Sequence, residues 1–157
     1  MDLSDSEIKR YFDGSAQQWL DQAYRTDGLT FPVGFHRVRI VSGILSANAV
    51  PMKVLDFGCG GGMLSIALAI LGHEVVGVDQ SEAMIACAQE MAEKQPQDVR
   101  ARLHFKHGSV EMPELDEGSF DAVVAMGLIG YLPNDTSFFA RANELLCADG
   151  TFVVSCR

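Results

Sequence analysis

The sequence predicts an α/β domain, a doubly wound parallel sheet with helices on both faces. Three observations carry that prediction. From Lys53 onward, short apolar runs alternate with helical patterns, as strand–helix–strand crossovers require. The apolar runs are continuous Val, Leu and Ile rather than alternating apolar and polar residues, so their strands are buried on both faces. Asp56, Gly58, Asp79, Ser109 and Met126 fall at the carboxyl ends of these runs, where a sheet wound with right-handed crossovers places its ligand.

Ahead of the alternation, Ser6 to Tyr24 carries Ile8, Tyr11, Phe12, Ala16, Trp19 and Leu20 at helical spacing. Gly28 and Pro32 interrupt, and a second helix is expected from Val33 to Ala47 on Phe35, Val38, Ile40, Val41 and Ile44. Asn48 to Pro51 ends it. Residues 1–48 are therefore expected to form a helical lid or cap segment, and residues 49–157 the binding domain. The first strand is Val54 to Phe57, followed by a glycine turn and a helix over Gly62 to Leu71. Strand two is Glu74 to Val78, closed by Asp79. Ser81 is a good N-cap, with Glu82 in the first turn, for a helix that reaches about Lys94 and is ended by Pro96. Strand three is Leu103 to Lys106; strand four is Phe120 to Ala125, after the Glu117-Gly118-Ser119 turn. Asn134 or Asp135 caps a helix to Cys147, and the Asp149-Gly150 turn leads into strand five, Thr151 to Ser155.

At 157 residues the chain is one domain by length. Its 48% hydrophobic and 21% charged residues are ordinary for a soluble globular protein. A net charge of −9 with no basic patch argues against nucleic acid, whose binding requires cations that displace counterions. Cys59, Cys87, Cys147 and Cys156 are scattered without a C-x-x-C pair, which argues for reduced thiols rather than zinc or a disulfide framework. Met1-Asp-Leu-Ser-Asp-Ser-Glu has no basic segment followed by an apolar one, so it does not read as a signal peptide. The longest apolar segment, Met63 to Leu71, falls short of the roughly 20 residues that span a bilayer. A cytoplasmic protein without membrane contact is expected.

Val54-Leu-Asp-Phe-Gly-Cys-Gly-Gly-Gly62 is the most informative stretch, a buried strand that ends in an acid and breaks into glycines. Such glycines allow positive φ and let a ligand approach bare backbone. The dinucleotide pattern G-x-G-x-x-G/A fails at its third position from either start, meeting Met63 from Gly58 and Ser65 from Gly60. What fits is D-x-G-x-G-x-G on Asp56, Gly58, Gly60 and Gly62, whose acid suits a positively charged ligand. A glycine-rich connection without a ligand is the bland alternative, and it leaves the entropic cost of the glycines unexplained. Asp79, about 20 residues past the loop, can accept hydrogen bonds from both ribose hydroxyls of a nucleoside. It would serve NAD equally, or simply cap the following helix.

From Val54 to its last residue, roughly two thirds of its length, the chain resembles the class I S-adenosylmethionine-dependent methyltransferases. The resemblance implies a three-layer αβα Rossmann-like sheet of order 3-2-1-4-5, with S-adenosylmethionine as cofactor. It implies that the backbone around Gly58, Cys59, Gly60 and Gly62 holds the methionine part, while Asp56 orients the loop and favours the positive charge. Asp79 would take the ribose, and Gln80 and Met84 would flank the adenine. In His107-Gly108-Ser109-Val110, Ser109 replaces the family's common Asp that receives the adenine amino group; its hydroxyl accepts more weakly, and the Val110 N–H can reach the ring. Met126 and Gly127 lie in the segment that passes under the methyl donor.

Within that family the glycine loop and the start of strand five resemble the ubiquinone-biosynthesis O-methyltransferases. Those carry an acid, a second acid and a histidine after strand four, where this chain has Gly127, Gly130 and Tyr131, so no metal is expected. No Asn-Pro-Pro-Tyr motif is present. His104 and His107, three apart in a strand, face opposite sides, and His73 is expected to cap the first sheet helix. No catalytic residue declares itself. Tyr11 and Tyr24 are candidates as hydroxyl carriers in an aromatic cluster with Phe12, Trp19, Phe31 and Phe35. That cluster would either cup a sulfonium by cation–π contact or only pack the helices onto the sheet. His36, beside Arg37 and Arg39, is either a base or a surface histidine.

The implied reaction moves a methyl group to the O or N of a small-molecule acceptor by in-line displacement, with the protein supplying alignment and a dry site. Two other readings stay open: a noncatalytic module binding S-adenosylmethionine or S-adenosylhomocysteine and, less favoured, an NAD(P)-dependent oxidoreductase. The family sheet usually continues into a C-terminal antiparallel hairpin, which is missing after Cys156-Arg157. The expectation is therefore a fragment or, failing that, a homodimer that covers the strand-five edge.

Overall fold

Five strands, β1 (Lys53–Phe57), β2 (Glu74–Asp79), β3 (Leu103–His107), β4 (Phe120–Met126) and β5 (Leu146–Ser155), form one sheet in the order β3-β2-β1-β4-β5, and every neighbouring pair is parallel. These are the order and sense expected for the doubly wound class. The structure is a computed structural model that describes residues 5–24, 33–47, 50–109 and 115–155. Around the sheet lie α1 (Asp5–Tyr24), α2 (Val33–Leu45), α3 (Met63–Ile70), α4 (Glu82–Glu93), the short α5 (Gln97–Arg100) and α6 (Asp135–Leu145). The winding reverses between β1 and β4, which opens a crevice at their carboxyl ends.

Two apolar clusters sandwich the sheet, as continuous apolar strands demand. Val54, Val75, Ala122 and Val124 pack with Val41 and Leu45 of α2 and Leu64 and Leu68 of α3. Leu55, Phe57, Val76, Val78 and Val123 point the other way, onto Phe138, Ala142 and Leu145 of α6. Successive residues of one strand thus serve opposite layers.

Several boundaries differ from expectation for local reasons. Gly62 is the N-cap of α3 rather than its first residue, because its φ of 77° is left-handed. At the far end Gly72, with φ of 100°, turns the chain and the His73 N–H closes on the Leu68 carbonyl at 3.1 Å. The His73 side chain does not cap the helix. Its Nδ1 accepts from the Met52 N–H at 3.1 Å, tying the helix exit to the start of β1, and burial lowers its pKa. Pro96 does more than end α4, since it also starts α5. The α6 helix stops at Leu145, two residues short of expectation, because Leu146 already pairs with Phe120. The chain then bulges through Asp149, at φ of 63°, before Thr151–Ser155 aligns with Ala122–Met126.

Gly62 also has no room for a side chain. A Cβ there would lie 2.8 Å from Phe105 Cζ on β3 and 2.9 Å from Ala88 Cβ on α4. Gly62→Ala combines left-handed strain of about 1–2 kcal/mol with overpacking of about 1–3 kcal/mol. In a chain of this size the melting temperature should fall by roughly 4–20 °C, at about 2–4 °C per kcal/mol. A circular-dichroism melt checks this, and an unchanged midpoint would refute the close packing.

Candidate functional site

At the carboxyl ends of β1, β2 and β4 lies an open cleft, where a sheet of this winding places its ligand. Its floor is Phe57, Gly58 and Gly60 on one side and Val78, Asp79, Gln80, Ser81 and Met84 on the other. Gly108 and Ser109 close one end; Met126, Gly127, Leu128 and Tyr131 close the other. Ile8, Lys9 and Phe12 of α1 and Arg37 of α2 also line it, so the N-terminal helices contribute to the wall.

Asp79 is held by two backbone donors. Its Oδ2 accepts from the Gly60 N–H and its Oδ1 from the Ser81 N–H, both at 2.9 Å. Each carboxylate oxygen has two acceptor sites, so each keeps one for a ligand. Desolvation pushes its pKa up, while the two backbone donors pull the other way. His107 braces the same turn: its Nε2 lies 2.9 Å from the Gln80 carbonyl, to which the ring must donate.

Three residues expected at the ligand do not line the cleft. Asp56, 2% exposed, lies beneath the glycine loop and accepts from Ser65 Oγ of α3 at 2.7 Å. Burial lifts its pKa to about 7 against the Ser65 hydrogen bond, with the charge of Asp79 adding to the rise. Cys59 is buried too, its Sγ beside Gly77 of β2, and desolvation pushes its pKa up, leaving a neutral thiol. Gly62 serves helix–sheet packing. Gly58, Gly60, Asp79, Gln80, Met84, Ser109, Met126 and Gly127 are brought together on the wall, and Val110 lies outside the described residues.

Of the catalytic candidates, Tyr11 and His36 are not on the wall. Tyr11 is 57% exposed, its ring edge-on to Phe12 at 5.2 Å. His36 is half-buried but does not line the cleft, while its neighbour Arg37 does. The side chains of Tyr24 and Trp19, and Phe31 as a whole, lie outside the described residues. The aromatic pair at the cleft is instead Phe12 with Tyr131, edge to face at 5.5 Å and 79°. Among the described residues no group of three or more His, Cys, Asp or Glu side chains could hold a metal ion, and no helix is long and apolar enough to cross a membrane.

Sequence reasoning missed Lys9, Ser81, Leu128 and Arg37 as wall residues. The guanidinium of Arg37 sits against the bare backbone of Gly127, where any Cβ would collide with it. A signal for Arg37 existed: Gly34, Val41 and Leu45 are the buried stripe of α2, and Arg37 is the charged residue at i+3 and i−4 within it.

Sheet order, switch-point cleft and loop define a Rossmann-like domain of the class I methyltransferase type. Residues 55–154 match the methyltransferase domain family, and the chain belongs to it, a class I S-adenosylmethionine-dependent methyltransferase by family. It is 33% identical over 164 residues to the ubiquinone biosynthesis O-methyltransferase of Azorhizobium caulinodans, covering 98% of this chain and 62% of the relative. To the mitochondrial ubiquinone biosynthesis O-methyltransferase of Schizosaccharomyces pombe it is 37% identical over 103 residues, 66% of this chain and 37% of the relative. The chain thus spans less than two thirds of these curated relatives. Magnesium protoporphyrin IX methyltransferase from Synechocystis with bound S-adenosylmethionine superposes with a TM-score of 0.71 at 25% identity, over 92% of this chain and 73% of that one. The glycopeptide N-methyltransferase MtfA complexed with S-adenosylmethionine gives 0.66 at 26% identity, over 75% of this chain and 52% of that one.

Proposed function

We propose that this cleft binds S-adenosylmethionine and that the protein transfers its methyl group to an oxygen of an apolar small molecule. The observation that carries the reading is Asp79, fixed by two backbone N–H groups with acceptor sites left over at the cleft wall. The rest of the wall fits the same cofactor. Gln80, Met84, Gly108 and Ser109 would surround the adenine, and the Gly58 and Gly60 backbone the methionine part. Arg37 is a cation for its carboxylate. A dinucleotide fits less well, because the loop that would receive its pyrophosphate sits over buried Asp56.

When bound, the cofactor supplies a methyl group on a sulfonium, which already carries the leaving-group chemistry. The chain's own work is then alignment for in-line displacement and exclusion of water by Ile8, Phe12, Met126, Leu128 and Tyr131. An acceptor hydroxyl that arrives ionised, such as an acidic phenol, needs no general base. The relatives named as O-methyltransferases favour oxygen over nitrogen. A noncatalytic cofactor-binding module is the second reading, favoured by the position of Tyr11 and His36 off the cleft wall.

Calorimetry with S-adenosylmethionine, S-adenosylhomocysteine and NADH tests the cofactor. The first two are expected to bind; binding of NADH alone would sink the reading. Transfer of labelled methyl to a panel of phenols, with amines as controls, then separates an O-methyltransferase from an N-methyltransferase and from a module that turns over nothing.

A further inference from the structure

A chain of hydrogen bonds runs from the N-terminal helix to the glycine loop. Asp13 Oδ1 on α1 accepts from Ser81 Oγ at 2.6 Å, across 68 residues of sequence, and from the Ala83 N–H at 3.4 Å. Ser81, 1% exposed, spends its single hydroxyl proton on Asp13 and uses a lone pair to accept the Met84 N–H at 3.2 Å, capping α4. The Ser81 N–H goes to Asp79 Oδ1, and Asp79 Oδ2 takes the Gly60 N–H. Lid helix, α4 cap, ribose-facing acid and glycine loop are thus one network.

Two further contacts seat α1 on the site. Leu20 covers Gly61 so closely that a Cβ there would lie 2.5 Å from its Cδ2. Phe12 meets Tyr131 edge to face. The Ser81 hydroxyl also holds the pKa of Asp13 below the usual carboxylate value, so the bond between them is charge-assisted.

We infer that Asp13 is a positioning residue, which latches α1 over the cleft and, through Ser81, fixes the rotamer in which Asp79 receives the cofactor. The inference rests on the proposed S-adenosylmethionine site. Asp13 touches no ligand group itself; it acts through Ser81. By linkage, whatever the latch contributes to cofactor affinity, the cofactor returns to the latch. Ligand binding therefore strengthens the latch on α1.

The experiment uses the whole chain as wild type, Asp13→Ala and Asp13→Asn, with S-adenosylhomocysteine as the calorimetric ligand. Asp13→Ala should bind about ten-fold more weakly, the size expected for one charge-assisted hydrogen bond. Asp13→Asn keeps an acceptor oxygen and should stay within about three-fold of wild type. S-adenosylhomocysteine should slow tryptic cleavage after Lys9 and Arg10 in wild type and not in Asp13→Ala. An Asp13→Ala protein that melts lower yet binds with wild-type affinity overturns the inference, leaving Asp13 a brace for α4. A wild type that binds neither S-adenosylmethionine nor S-adenosylhomocysteine overturns the cofactor reading and the inference with it. Should Asp13→Ala not fold, absence of ligand protection over α1 in wild type is itself the overturning result.

Discussion

Asp79→Ala is expected to weaken S-adenosylhomocysteine binding by about a hundred-fold or more, and Asp79→Asn by nearly as much. Two hydrogen bonds to a charged group, at about 1.5–3 kcal/mol each, account for the first figure. The second follows from the donor count. The partners in the structure, the Gly60 and Ser81 N–H groups, are both donors, and the ribose hydroxyls of the proposed cofactor would donate as well. An amide turns one side of the group into a donor that faces a donor. Alanine also strands the two backbone N–H groups, at about 1–3 kcal/mol for each that stays dry. The melting temperature should therefore drop with the affinity. Calorimetry and a thermal melt on both variants check this; an Asn variant that binds like wild type would mean that Asp79 does not hold the ribose.

How far sequence alone reached follows from the range of each interaction. The strands were legible because burial on both faces writes a continuous apolar run, as in Val54 to Phe57, within a few residues. Strand-end residues such as Asp79, Ser109, Met126 and Gly127 were legible because topology alone places them. Gly62 marks a limit of the letter: a glycine against a ligand and a glycine against Phe105 and Ala88 both need a missing side chain. The α6–β5 junction was invisible because Leu146 is apolar in either state, and only its partner Phe120 decides. The cleft's N-terminal wall was hidden by distance, since the Asp13–Ser81 bond and the seat of Arg37 on Gly127 join segments with no local pattern in common. Tyr11 and Phe12 shared one helical stripe in the sequence reading, yet adjacent residues on a helix point about 100° apart. Phe12 lines the cleft and Tyr11 faces water.

Asp56→Asn should make the protein more stable and a poorer cofactor binder at once. The wild-type carboxyl, 2% exposed, has its pKa raised from 3.8 to about 7 by burial. Between those values the folded state holds a proton that the unfolded state has lost. The stability this group contributes is therefore complete below about pH 4 and is lost as pH rises through about 7. At pH 8 the ionised, buried group disfavours the fold by about 4 kcal/mol, from three pKa units at about 1.4 kcal/mol each. Asparagine has the same shape, no charge and a group that can still bond Ser65 Oγ, so it escapes that penalty. Its melting temperature at pH 8 should exceed that of wild type by roughly 8–16 °C, at about 2–4 °C per kcal/mol, and the gap should close toward pH 4. Binding runs the other way. A sulfonium and an ammonium close to the loop favour ionised Asp56, so wild-type affinity for S-adenosylmethionine should rise as pH rises through about 7. Below that, binding must expel the proton, and the calorimetric enthalpy will vary with the ionisation heat of the buffer. In Asp56→Asn both the pH dependence around 7 and the buffer dependence should shrink, with affinity at pH 8 about ten-fold lower. Parallel melting curves for the two proteins from pH 5 to 8 would show that Asp56 carries no burial penalty. Buffer-independent enthalpies in wild type would show that its charge plays no part in holding the cofactor. Loss of affinity in a variant that has grown more stable is the result that a purely structural role for Asp56 does not produce.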